Sequence, residues 1–150
     1  MTCARSRGAP FVPRALVDTG AIVALVNRAD RYHAAAVAWF AGYRGILLTT
    51  EAVITETEYV LAASRTHQQA AVLWCERARA AGLLRIEPVA DYGALDVIMS
   101  RYARLPCDYA DATLIALAES TGVTVIATID QRDFSVYRTA GRKRFRIVLG

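Results

Sequence analysis

The chain has 150 residues and a formal net charge of +4, with 55% hydrophobic and 21% charged residues, enough chain to bury one core without disulfides or metal staples. No apolar run approaches the roughly 18 residues that a membrane-spanning helix needs, so the apolar excess is assigned to a core or a partner surface. All but one of the 18 basic residues are arginine; such a skew fits a GC-rich genome as well as a polyanionic partner, and charge alone raises the case for nucleic acid only modestly.

The first stretch, "MTCARSRGAPFVPR", carries arginines without the apolar middle of a secretory signal. It predicts a flexible lead-in over 1–14, a cytoplasmic location by default, and one domain over 15–150. "RALVDTG" then reads as a short strand ending at Asp18, turned by Thr19 and Gly20 into the helical "AIVALVNR". Asp30 is the expected N-cap of a second helix, "RYHAAAVAWFAGY", closed by Gly42 and Gly45, and "GILLTT" follows as a strand. Thr49 or Thr50 caps "EAVITETEYVLAASR", with Glu51 in its first turn and Glu56 near its middle. "THQQAAVLWCERARAAG" gives another helix ending at Gly82, "LLRIEPV" a strand, and Asp91 caps "YGALDVIMSRYARL", which Pro106 stops. A helix from Asp108 to Gly122, the β-branched strand "VTVIAT", an acidic turn "TIDQRDF" and a last strand in "GRKRFRIVLG" complete the chain.

Short apolar strands alternating with helices predict an α/β fold: a three-layer sandwich with a central, mainly parallel sheet and helices on both faces. Cys3, Cys75 and Cys107 fit neither a disulfide framework nor a zinc pattern and are expected as reduced thiols. His33 and His67 lack ligand spacing and a nameable catalytic partner. Trp39, Trp74 and Tyr59 fall at helical intervals among apolar residues and are expected in the core or against a partner.

The acidic residues are the informative group. Ligands of parallel sheets bind beyond the C-terminal strand ends; Asp18 and Asp130 follow two such ends, Asp108 and Asp111 share the first turn of one helix, and Glu56 lies on a helix that could face the same crevice. Carboxylates gathered there would repel one another unless a cation lay between them, and an all-oxygen set suits Mg²⁺ or Mn²⁺. Ordinary structure explains each acid separately as well: Asp108 as an N-cap with Asp111 its capping-box companion, Asp130 and Asp133 as turn residues, Glu56 as a solvated helix residue.

Taken together, "ALVDTGAIVALVNRAD", "TTEAVITETEYVL" and "LPCDYADATLIALAESTGVTVIATIDQRDF" resemble a PIN-domain ribonuclease of the VapC type, the toxin of a prokaryotic toxin–antitoxin pair. The resemblance covers nearly the whole chain from Ala15. It implies a PIN fold and Mg²⁺- or Mn²⁺-dependent cleavage of RNA. Its catalytic acids fall on Asp18, Glu56 (with Glu58 as second choice), Asp111 and Asp130. Asp18, Asp111 and Asp130 would hold metal, Asp108 matching an extra aspartate of some members. Thr19 and Thr128 match small hydroxyl residues beside the site, and Asp133 lies at its edge. The family also implies a cognate antitoxin that blocks the pocket, a homodimer, and DNA contact only through the antitoxin.

Arg138, Arg142, Lys143, Arg144 and Arg146 crowd the tail; they would guide RNA phosphates, or protect a basic edge strand from pairing. The competing reading is a catalytically silent PIN-like module that binds RNA or antitoxin without turnover. A phosphatase with an aspartyl nucleophile in "DTG" ranks below it, because Gly20 stands where the general acid is needed.

Overall fold

The computed structural model describes residues 11–150 and is organised around the first apolar run of the chain. In strand β1 (Arg14–Val17), Ala15, Leu16 and Val17 are all 0% exposed. Successive strand residues point to opposite faces, so both faces of this strand are covered. Most of the expected lead-in, with Cys3, lies outside the described residues; its last residue, Arg14, already belongs to β1.

On one side of β1 lie β2 (Ile46–Thr50) and β3 (Leu84–Glu87); on the other lie β4 (Val125–Ala127) and β5 (Arg146–Ile147), giving the order β3-β2-β1-β4-β5 with every neighbouring pair parallel. Leu16 is in register with Leu48 on one side and Ile126 on the other. The sheet is the expected one, and helices cover both its faces: α1 (Thr19–Val26), α2 (His33–Gly42), α3 (Glu51–Val60), α4 (Arg65–Ala80), α5 (Tyr92–Arg101), α6 (Tyr109–Thr121) and the short α7 (Gln131–Val136).

Helix α6 is the most deeply packed. Ala112, Leu114, Ile115 and Ala118 are 0% exposed, and burying a Leu or Ile side chain contributes about 1.5–3 kcal/mol. Its start is fixed by Asp108, whose Oδ1 accepts the Asp111 N–H at 2.8 Å, and its end by Gly122 at φ 72°. Thr50 caps α3 and Asp91 caps α5, as expected.

Three local expectations change. Asp30 does not cap α2: its Oδ1 accepts the Tyr32 N–H at 2.8 Å in a turn of its own, and the helix begins only at His33 without a side-chain cap. The helix opened by Thr50 stops at Val60, where a turn over 61–64 hands the chain to α4, capped by Ser64. The acidic turn after β4 is instead the start of α7, with Asp130 as N-cap accepting the Asp133 N–H at 2.9 Å. No helix among the described residues is long and apolar enough to cross a membrane.

Candidate active site

The chain lays down β1, β2 and β3 outward in one direction, then returns to place β4 against the free edge of β1. The strand order therefore reverses between β1 and β4, and the connections leaving their C-terminal ends diverge around a crevice. Asp18 follows β1 and donates its backbone N–H to Ala127 O at 3.0 Å, so the two strand ends are tied at the mouth of that crevice.

Asp18 is 6% exposed and held at both oxygens. Oδ1 accepts the Thr19 N–H at 2.7 Å, making Asp18 the N-cap of α1, and Oδ2 accepts the Thr128 hydroxyl at 2.7 Å. Thr128 Oγ1 in turn accepts the Asp130 N–H at 2.9 Å, so one threonine couples the acids that follow β1 and β4. On the other flank the Thr19 hydroxyl donates to Glu56 Oε2, bringing α3 to the crevice. Gly20 completes this corner: a Cβ there would lie 2.5 Å from Ile129 Cγ1. Only a glycine lets α1 begin this close to the segment after β4.

Helix α6 brings two more acids. Asp108 acts as a cap, and its carboxyl also raises that of Glu56. Asp111 does not reciprocate as a capping box would; its Oδ2 accepts the Tyr137 hydroxyl at 3.1 Å, and its charge interacts with Asp18 and Glu56. Glu58, the second choice for the α3 acid, is turned elsewhere, near Cys75.

The electrostatics follow from this crowding. Burial is the main cause pushing Asp18 up to about 6, with the charges of Asp130 and Asp108 adding to it and the bonds from Thr128 and Thr19 opposing it. Glu56 is pushed up to about 7 by burial, then by Asp108 and Asp18, against the Thr19 bond. Asp111 reaches about 8 through burial, then the charges of Asp108 and Asp18, with the Tyr137 bond opposing. Among the described residues no arginine or lysine pairs with these acids; the ion pair found joins Arg101 and Glu119 at 3.0 Å. An uncompensated, all-oxygen cluster has the chemistry of a hard divalent cation site. Among the described residues no group of three or more Asp, Glu, His or Cys is arranged to hold a metal ion directly; Mg²⁺ commonly keeps several waters and binds through one or two carboxylates.

The remaining expectations divide. The Thr19 and Thr128 hydroxyls bond to Glu56 and Asp18, and the Asp133 carboxyl is raised by slight burial and by Asp130. The basic tail does not join them. Arg138 folds its guanidinium onto the carbonyls of Ser135, Val136 and Tyr137 at the end of α7. Arg142 and Lys143 lie in a turn closed by the Arg138–Arg144 bridge, with Arg142 at φ 60°. The Ala140 N–H in that turn donates to Glu119 Oε1 near the C-terminal end of α6, whereas Asp111 is at its start. Tyr137 and the helical form of α7 were not legible in the sequence; neither spacing nor composition marked them. His33 Nδ1 lies 2.8 Å from Ala24 O, a structural contact. Separate from the acids, an open, mostly apolar cleft of about 1090 Å³ runs between α1, α2 and α4, lined in part by Leu25, Val37, Phe40, Ala70 and Trp74.

The family model described as PIN domain matches residues 15–140. Ribonuclease VapC26 of Mycobacterium tuberculosis strain H37Rv is 28% identical over 139 residues, spanning 89% of this chain and 98% of that protein. The crystal structure of Mycobacterium tuberculosis VapC20, a Sarcin-Ricin loop cleaving toxin, superposes with a TM-score of 0.64 at 24% identity, covering 79% of this chain and 91% of that one.

Proposed function

This chain belongs to the PIN domain family, and from that premise we propose that it is a Mg²⁺- or Mn²⁺-dependent endoribonuclease of the VapC toxin type, restrained by a cognate antitoxin. The observation that carries the reading is the meeting of Asp18, Glu56, Asp108, Asp111 and Asp130 at the strand-order reversal, with no basic partner among the described residues. Similarity to a ribonuclease along nearly its whole length supports it.

In this reading Asp18, Asp108, Asp111 and Asp130 hold the cation. Bound there, it supplies positive charge against the phosphodiester and acidifies the attacking water. Thr19 and Thr128 keep Asp18 from rotating, so its orientation is set before substrate arrives. Glu56, tethered by the Thr19 hydroxyl and facing the same acids, is the group placed to take and return a proton. Bonds near the basic turn would be to RNA distant from the cleaved linkage.

The apolar cleft between α1, α2 and α4 suits the apolar face of an antitoxin helix. DNA contact, in this reading, comes only through that antitoxin. Tyr59 and Val60, 82% and 53% exposed at the end of α3, suit contact with a second copy of the chain in a homodimer.

The test is cleavage of total cellular RNA by the purified chain, free of antitoxin, with Mg²⁺, with Mn²⁺ and with chelator. Cutting that requires the metal and is lost in Asp111→Asn supports the proposal. Folded protein that binds RNA yet cuts none under any condition favours the silent module.

A further inference from the structure

We propose that Tyr137 is a positioning residue that holds Asp111 in the orientation a divalent cation requires; the inference rests on the metal-dependent nuclease reading above. Tyr137 is 0% exposed, and its ring is wedged between Phe134, at 5.3 Å and 83°, and Tyr102, at 5.0 Å and 55°. Its backbone is held as firmly. The Tyr102 hydroxyl accepts the Arg138 N–H at 2.7 Å and donates to Arg138 O at 2.9 Å, locking the residue that follows. From this fixed frame the Tyr137 hydroxyl meets Asp111 Oδ2 at 3.1 Å, with the Cys107 thiol beside it.

The need for such a tether comes from the surroundings of Asp111. Asp108, Asp18 and Glu56 all repel its carboxylate, and a side chain free to rotate would turn outward into solvent. The Asp108 cap fixes the Asp111 backbone N–H at 2.8 Å but leaves the carboxylate free to turn. Tyr137 fixes one oxygen and leaves the other for a ligand. A buried tyrosine hydroxyl needs some acceptor in any case, yet a backbone carbonyl would serve, as Arg138 O does for Tyr102. Partners that orient metal ligands are typically worth about 10–100-fold in metal affinity or activity.

The test titrates Mn²⁺ alone into the metal-free, full-length protein by calorimetry, beside thermal melts and RNA cleavage kinetics. Tyr137→Phe keeps the ring and removes only the hydroxyl; Leu84→Ala, in β3 at the far edge of the sheet, loosens the core and leaves the Tyr137 frame untouched. Tyr137→Phe is expected to bind Mn²⁺ about tenfold or more weakly, with kcat reduced on the same scale and KM for RNA unchanged. Leu84→Ala is expected to lower the melting temperature while keeping Mn²⁺ affinity within about twofold, since β3 lies at the sheet edge away from the site carboxylates. Wild-type affinity in Tyr137→Phe, or an equal loss in Leu84→Ala, would overturn the inference. A wild-type chain that neither binds Mn²⁺ nor cuts RNA would instead overturn the nuclease reading on which it stands.

Discussion

Asp111 carries an ordinary and a chemical identity in one side chain. It stands in the first turn of a helix, where a carboxylate favours the helix dipole, yet it is pushed up to about 8 because burial and its acidic neighbours outweigh that help. Asp111→Asn should therefore act in opposite directions. RNA cleavage should fall by roughly a hundredfold or more, the scale of losing a proton-transferring or charge-stabilising group. The metal-free protein should melt higher at pH 8, by about 2–4 °C for each kcal/mol of repulsion relieved. A parallel fall in both would mean that Asp111 is structural. Gly20→Ala is the complementary case: its Cβ, 2.5 Å from Ile129, must displace the residue between Thr128 and Asp130. A cost of about 1–3 kcal/mol in urea unfolding is expected for such overpacking, with loss of cleavage. At this scale Asp18, Asp108, Asp111 and Asp130 were legible, because each follows a strand end or opens a helix, whereas Glu56, in the middle of α3, carried no such local mark. Tyr137 was not legible, because it reaches Asp111 through a fold-back of 26 residues that no local pattern encodes.

Single helices separate capping from catalysis. Asp108 caps α6 and also faces Glu56, and its two tasks respond to different substitutions. Asp108→Ala should cost about 1 kcal/mol of stability through the lost cap, whereas Asp108→Asn keeps a capping oxygen and should spare stability while reducing cleavage. Equal activity in Asp108→Asn and wild type would leave Asp108 as a cap alone. The basic turn after α7 gives the opposite expectation. It packs near Glu119, while the acids lie at the other end of α6, a helix of 13 residues and so about 20 Å long. Neutralising Arg142 and Lys143 to Gln should leave cleavage of a short RNA oligonucleotide unchanged, and a large loss of rate would place RNA phosphates on that turn. Capped and apolar helices such as α6 were readable from Asp108 and Gly122 at its ends. Helix α7 was not, because its few residues repeat too short a pattern to distinguish a helical turn from a loop.

At the scale of the whole molecule, the reversal of strand order beside β1 gathers acids that are far apart in the chain. The sheet was legible from five short apolar runs; the order of its strands was not, since parallel pairing is set by tertiary packing rather than by local sequence. That gathering has a thermodynamic signature. In the unfolded chain these groups ionise near 3.8 for Asp18 and Asp111 and 4.5 for Glu56; in the folded chain they ionise near 6, 8 and 7. Between those limits the folded protein binds more protons than the unfolded one, so these groups lower stability progressively as pH rises from about 4 to about 8. A cation bound among them should reverse the loss, and most strongly where they are ionised. The decisive measurement is the melting temperature of the metal-free protein at pH 5 and pH 8, with and without Mn²⁺. A cation site among these acids entails a lower melting temperature at pH 8 without metal and a larger Mn²⁺-induced rise at pH 8 than at pH 5. A metal-free protein at least as stable at pH 8, with no response to Mn²⁺ at either pH, would contradict it.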